Sequence, residues 1–315
     1  MEYVGQMKIV AGMGSMEDYE ILAKAGADEV FCGYVPLWWN EKYGNLMPLN
    51  RREVFFYHVQ AGTLEDMKIL QKKSRQYKVP VSIAMNALYY TKEQIADALQ
   101  IIEELIEIGF VHFILADINL ILQVEQKKLP CHIHISGELG EWNTQTICFL
   151  RQEMQAERII FHRKNTIEDM VACIEVAKQC KFAHTYEAFF MNELCHYTGG
   201  FCNSLHCDEM VHLCRLPYQL TPPVKVYDTD EQEFPEEVIG ETGCGLCAMW
   251  KLRAAGITHL KLVGRGKSAQ DMQRDILSVK KARDILQQSA TEKEYLQSVK
   301  QELFAKDCSK QCYFL

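Results

Sequence analysis

Lys8-Ile9-Val10-Ala11, an amphipathic stretch to Ala25, then Gly26 and Asp28-Glu29-Val30-Phe31-Cys32-Gly33 form the passage that decides the fold. A short apolar run, a helix-period stretch with Ser15 as its N-cap, a glycine stop and a second apolar run make one β–α–β step. The step recurs along the chain. Helix 63–77 leads to strand 79–86, and Thr91 caps a helix to Ile108 that Gly109 stops before strand 110–116. Helix 119–128 precedes strand 131–136, helix 144–154 precedes 158–161, and helix 166–179 precedes 182–190. A helix near 246–255 feeds strand 258–263, and a long helix starts near Ser268.

About eight short strands, most followed by a helix, pair most naturally in parallel with helical crossovers. The expected fold is α/β, a TIM-like (β/α)8 barrel, irregular at one position, with a cysteine-rich loop insertion. An open doubly wound sheet fits the same alternation, and periodicity alone does not separate the two. The 315 residues suit one barrel of about 250 residues plus an insertion. The expected layout is one barrel over residues 1–290, holding a cysteine-rich insertion at about 195–245, then a helix and Cys-containing tail over 291–315.

Composition narrows the class. With 48% hydrophobic and 24% charged residues, disorder and fibrous repeats are excluded. A formal net charge of -8 argues against a general grip on nucleic acid, leaving RNA only a local basic groove. No run of about 18 apolar residues appears, so no membrane span is expected. Residues 1–10 lack a signal-peptide pattern, which points to the cytoplasm.

The rhythm breaks between Cys195 and Gly243, where no long helix is readable. Cys195, Cys202, Cys207, Cys214 and Cys244-Gly-Leu-Cys247 put six of the thirteen cysteines in or beside this segment. Thiolates on loops can wrap zinc or an iron–sulfur cluster, since both take soft ligands. Spacing alone does not choose the metal. Buried structural cysteine is the competing reading, and it suits Cys32, Cys131, Cys148, Cys173 and Cys180. Cys308 and Cys312 are either a second metal pair or an unused terminus.

Other features are weaker. His132 and His134 sit two apart on a strand and so share a face. HExxH and GxSxG are absent, which removes the usual zinc-protease and serine-hydrolase signatures. Gly12-Met-Gly14-Ser15 lacks the third glycine of a dinucleotide loop and reads as a barrel turn. Trp38, Trp39, Tyr43 and Phe55-Phe56-Tyr57 follow the second strand, either as a roof over the barrel or as a stacking surface for a planar substrate.

Glu187-Ala-Phe-Phe-Met-Asn-Glu-Leu-Cys195, Gly200-Phe-Cys202 and Cys214-Arg215-Leu-Pro-Tyr218 resemble the core of the peptidase U32 family. Leu246-Cys247 and Leu260-Lys261-Leu-Val-Gly264-Arg265 resemble its later motifs. Ala25-Gly26-Ala27-Asp28, Phe31-x-Gly33, Asn86, Asp117, His134-x-Ser136 and Arg163 fall where the family has similar residues. The resemblance runs from Lys8 to about Leu286. It implies a TIM-like barrel with a [4Fe-4S] cluster. Relatives act in oxygen-independent hydroxylation with prephenate as hydroxyl source, on RNA bases or the ubiquinone ring; collagenase-like members give the family its name.

By that resemblance Cys195, Cys202, Cys214 and Cys247 hold the cluster, with Cys244 or Cys207 as substitutes. Arg163, Arg215, Arg265 and Asn86 would bind a small carboxylate such as prephenate. Glu187 and Glu138 are candidates for proton transfer, with His134 as a third candidate that also reads as a structural imidazole. The chain departs from the family at Glu138 (Gln there), Val263 (Glu) and Lys164 (Glu), and it lacks the Asn-Arg-Gly-x-Cys element. Three accounts compete: a cluster-dependent modification enzyme, a peptidase, and a non-catalytic cluster-binding subunit paired with a paralogue.

Overall fold

The computed structural model describes residues 5–44, 48–51, 60–195, 239–240, 242–304 and 308–314. Its centre is a closed barrel of parallel strands: β1 (Lys8–Gly12), β2 (Glu29–Tyr34), β4 (Val81–Met85), β5 (His112–Leu115), β6 (His132–Ile135), β7 (Ala156–Ile160), β8 (Ala183–Met191) and β9 (His259–Leu262). A two-residue strand, β3 (Gln60–Ala61), pairs beside the end of β2. Closure is settled by β1, which pairs with both β2 and β9, Ala11 lying opposite Val30 and Leu262. The open-sheet alternative is thereby removed.

Period-two alternation sorts the side chains. Ile9, Val30, Ile83, Phe113, Ile135, Ile159, Phe190 and Leu260 belong to the large core shared with the helices. Val10, Phe31, Ala84, Ile114, Ile160, Phe189 and Val263 form a second apolar cluster inside the barrel. Filling the interior with branched and aromatic residues makes it a packed core rather than a pore.

The surrounding helices are α1 (Asp18–Ala25), α2 (Leu37–Tyr43), α3 (Leu64–Tyr77), α4 (Lys92–Ile108), α5 (Ile118–Lys127), α6 (Thr144–Leu150), α7 (Ile167–Gln179), α8 (Met249–Ala255), α9 (Ala269–Gln288) and α10 (Glu292–Leu303). Thr91 makes the expected cap as a full capping box with Gln94. Ser15 does not cap α1. Its N–H instead donates to the Asp18 carboxylate at 2.9 Å, and the residue before the helix is Glu17, already helical. The long helix expected from near Ser268 ends at Gln288, and the tail helix is a separate one, because Ser289 is extended and Thr291 caps α10 by accepting from the Glu294 N–H. Trp38, Trp39 and Tyr43 lie on α2 and not on a loop; Trp39 is fully buried beside Tyr43 and Tyr90. That is a packing role. Phe55, Phe56 and Tyr57 lie outside the described residues. Among the described residues no helix is long and apolar enough to cross a membrane.

Candidate functional site

At the C-terminal ends of the strands a cavity of about 60 Å³ opens, bounded by Arg51, Asn86, Ser136, Glu138, Arg163, Lys261 and Arg265 above an apolar floor that includes Phe31, Ile114 and Phe189. This is the end of a β/α barrel where ligand contacts are built. A space of this size suits a few water molecules or a short carboxylate.

Local sequence explains the placement. After β6, Ser136 accepts from the Glu138 N–H and turns the chain into a short 3-10 segment, Gly137–Leu139. Gly137 is obligatory there: a Cβ would lie 2.9 Å from the Phe161 carbonyl and 3.0 Å from the Phe189 ring. The turn aims Glu138 at Arg163, 3.0 Å away, and at Arg51, 3.5 Å away. The Arg163 guanidinium carbon sits over the Phe189 ring, 3.8 Å from its centroid, and its Nε donates to the Glu193 carbonyl at 3.1 Å. Stacking plus a planar fork of donors is what arginine offers and lysine does not.

Arg265 follows β9 and donates to Asn50 Oδ1 at 3.2 Å. Gly33 makes room, since a Cβ would sit 2.7 Å from Arg265 Nη1 and 2.9 Å from Asn50 Nδ2. Asn86 accepts from the Arg51 N–H at 3.3 Å. Lys261 reaches 3.8 Å over the Phe31 ring and donates to Glu187 at 2.7 Å. Burial pulls the Lys261 ammonium below its ordinary range while Glu187 pulls it back.

Beneath the cavity lies a buried ionic network. Arg158 is 2.8 Å from both Glu29 and Glu187, and His259 meets Glu29 at 3.0 Å. Burial alone would raise the Glu187 carboxyl; Lys261 and Arg158 outweigh it and hold it below the usual range. His259 and Arg158 do the same for Glu29. His134 is buried near His112, their ring centroids 5.3 Å apart, and burial drives its pKa well down.

These distances sort the expected site residues. Glu138, Arg163, Arg265 and Asn86 meet at the cavity. Glu187 and His134 lie inside the barrel, off the cavity lining, with Glu187 committed to two cations. Lys261 and Arg158 are the ion-pair partners of Glu187. Arg215 falls outside the described residues. Asp117 spends its carboxylate on the Leu120 and Tyr90 N–H groups, as a helix cap and loop tie. Arg51 and Lys261 are site cations that the sequence reading missed. Nothing in the sequence around Arg51 marks it, whereas Lys261 sat in a quoted motif and pointed inward by strand period.

The cysteine-rich segment has a fixed stem. Met191 bridges Cys244 in antiparallel sense, Asn192 N–H donates to the Gly243 carbonyl and Leu194 N–H to that of Thr242. Cys195 therefore leaves the barrel where Cys244 and Cys247 return. Cys195 is close enough to Arg163 and Tyr313 to influence both. Cys202, Cys207 and Cys214 lie outside the described residues. Among the described residues no three His, Cys, Asp or Glu side chains stand ready to hold a metal ion. The donors still suit a soft metal: thiols on both arms of one pinned stem.

The chain matches Peptidase family U32 over residues 14–314. No curated protein matches it. Among solved structures it is similar to the U32 peptidase Mk0906, at 9% identity and TM-score 0.49 over 85% of this chain and 96% of that one. A structure titled "Native KDPGal structure" gives 11% and 0.48 over 92% and 100%. A glycerophosphodiester phosphodiesterase from Parabacteroides distasonis gives 10% and 0.47 over 91% and 100%. Such distant likenesses say nothing about chemistry, but the family match spans nearly the whole barrel and the tail, and the chain belongs to Peptidase family U32.

Proposed function

We propose that the protein is an iron–sulfur-dependent modification enzyme that binds a small carboxylate at the barrel mouth. The observation that carries this reading is the meeting of Arg51, Arg163, Lys261 and Arg265 around one small cavity with Asn86 and Ser136 between them. Guanidinium forks recognise carboxylates in a bidentate way, and the apolar floor strengthens that contact by excluding water. Glu138 already occupies two of the forks, so an incoming carboxylate displaces it or joins its far side. A cavity of about 60 Å³ takes one carboxylate arm of a molecule such as prephenate, with the rest outside.

The cluster would be held by Cys195, Cys202 and Cys214 with a further thiolate from Cys247, Cys244 or Cys207. When bound, a [4Fe-4S] cluster supplies redox capacity and an iron coordination site. The chain's own residues bind and orient: Arg163 fixes the anion, Asn86 and Ser136 offer polar contacts, and Glu138 sits where a proton can be taken or given. The peptidase reading gets less support, because no histidine lines the cavity among the described residues. A non-catalytic subunit, or an RNA substrate, has no specific observation in its favour.

Anaerobic purification with iron and sulfide counting tests the cluster. About four irons per chain, lost in Cys195→Ala/Cys202→Ala, support it; iron-free protein that cleaves casein or collagen replaces it with the peptidase reading. Thermal-shift titration with prephenate and shorter carboxylates tests the pocket. A shift that vanishes in Arg163→Ala is expected.

A further inference from the structure

Among the described residues, Lys261 alone belongs both to the buried ionic network and to the cavity lining; Arg158, Glu187, Glu29 and His259 stay off the lining. Strand period explains the difference. On β9, Leu260 and Leu262 join the core shared with the helices, so Lys261 between them points into the barrel. It lies opposite Val10 on β1 and Phe189 on β8, both of the inner apolar cluster. The other cations of the cavity, Arg51, Arg163 and Arg265, are arginines. A guanidinium stays charged, whereas a buried lysine can give up its proton and attack carbon.

We propose that Lys261 binds 2-oxo acids covalently, its amine forming an imine with the ketone while the neighbouring arginines hold the carboxylate. The inference rests on the carboxylate reading of the cavity and adds to it a substrate class and a bond. A 2-oxo acid carries its electrophilic carbon one bond from its carboxylate. That suits an amine and guanidinium forks sharing a space of about 60 Å³. The step balances without oxidant or reductant. The nitrogen lone pair forms the C–N bond as the carbonyl π bond breaks, the oxygen leaves as water, and the nitrogen keeps one proton. Ammonium plus ketone gives iminium plus water.

The surroundings of the amine fit that bond. Glu187, 2.7 Å from Nζ, faces one positive charge before the step and one after it, so the network keeps its balance. Arg158 binds the other Glu187 oxygen at 2.8 Å and anchors the carboxylate while Lys261 reacts. Burial, aided by Arg158 and Arg265, pulls the ammonium below its ordinary range against the pull of Glu187, which makes the neutral nucleophile easier to reach than on an exposed lysine. The apolar floor of Phe31, Ile114 and Phe189 keeps bulk water from hydrolysing the imine. An iminium in turn draws electrons from the adjoining carbon more strongly than a ketone does, the gain that lysine offers in covalent catalysis.

The test uses the full chain, purified anaerobically, with pyruvate as the probe and cyanoborohydride to reduce any imine, followed by digestion and mass mapping. At neutral pH exposed lysines are almost wholly protonated, so Lys261 should carry the reduced adduct at about tenfold the level of any exposed lysine. Lactate, which has the carboxylate without the ketone, should compete with the labelling. Pyruvate should also raise the melting temperature more than lactate does, and the difference should vanish in Lys261→Arg, which keeps a cation opposite Glu187 but loses the amine. Adduct scattered over exposed lysines with Lys261 unmodified overturns the proposal. If pyruvate and lactate then stabilise wild type equally, and both effects are lost in Arg163→Ala, the carboxylate reading stands without the imine. If neither acid labels or stabilises, both readings fall. Should Lys261→Arg fold poorly, the mapping on wild type decides alone.

Discussion

Glu138 serves two arginines at once, one carboxylate oxygen 3.0 Å from Arg163 and the other 3.5 Å from Arg51. All three side chains are largely buried, so the triad is shielded from salt more than a surface pair would be. An acid between two forks is a resident stand-in for a substrate carboxylate.

Glu138→Gln should therefore act in opposite directions on stability and on binding. Removing the charge leaves two arginines under-compensated, and a loss of about 1–3 kcal/mol is expected, the amide retaining some hydrogen bonding. The same change should strengthen binding of small anions. In thermal-shift assays the variant melts lower than wild type in low-salt buffer but gains more on adding a carboxylate. Equal gains in both proteins would show that Glu138 does not compete for the forks.

Lys261 and Glu187, 2.7 Å apart and both buried, carry a second prediction. Glu187→Ala leaves Arg158 and Lys261 without a shared counter-charge and should cost about 3–5 kcal/mol in urea unfolding. Lys261→Met alone should cost less, because Arg158 still holds Glu187 at 2.8 Å. The double variant Glu187→Leu/Lys261→Met should be milder than the sum of the singles. Strict additivity would mean the pair does not interact.

Much of this was legible in the sequence, and the reason is period. All eight barrel strands follow from short apolar runs spaced by helical stretches, and each buries one face outward on helices and one inward. The inward positions of known motifs, Arg265 and Glu138, also fell at strand ends. What stayed hidden depends on chain closure at long range. Arg51 reaches the site from a segment with no regular period. Cys312 meets Cys244 only because the tail folds back, a pairing that no local spacing encodes. Nor does sequence reveal that Glu187, although it stands in a motif, is sealed below the cavity.

Acid sensitivity follows from two windows. Burial, with help from His132, pulls His112 down to about 4, from about 6.5 in an unfolded chain. The fold therefore holds His112 neutral while the unfolded chain takes a proton, so stability falls as pH drops from about 6.5 toward 4, by about 3 kcal/mol in all. His134, also depressed by burial, works in the same direction. Glu29 and Glu187 act lower: their folded-state pKa values lie below the unfolded ones, so their stabilisation is present above about pH 4.3 and lost beneath it. Urea midpoints should decline from pH 7 to pH 5, and His112→Gln should flatten that part of the curve. A midpoint constant across that range would contradict the buried neutral imidazole.

Tyr313 supplies the last prediction, since it joins the tail to the cavity wall. Its hydroxyl donates to the Asn192 carbonyl, at a residue with a positive φ of 67° whose side chain binds Asp275 at 2.7 Å. Burial pushes the phenol above its ordinary range, so it stays a neutral donor at working pH. Tyr313→Phe keeps the ring but drops the hydroxyl's contacts, leaving the Asn192 carbonyl unsatisfied and removing a polar contact to Arg163, at a cost of about 1–2 kcal/mol. Tyr313→Ala also empties part of the inner apolar cluster and should cost about 3–5 kcal/mol. The two variants separate packing from polar contact in the same melting experiment. If the tail is only an appendage, both melt like wild type and carboxylate binding is unchanged. If it helps hold the site, Tyr313→Ala weakens carboxylate binding more than Tyr313→Phe does, because both lose the hydroxyl contact to Arg163 but only the alanine also removes the ring from the inner apolar cluster.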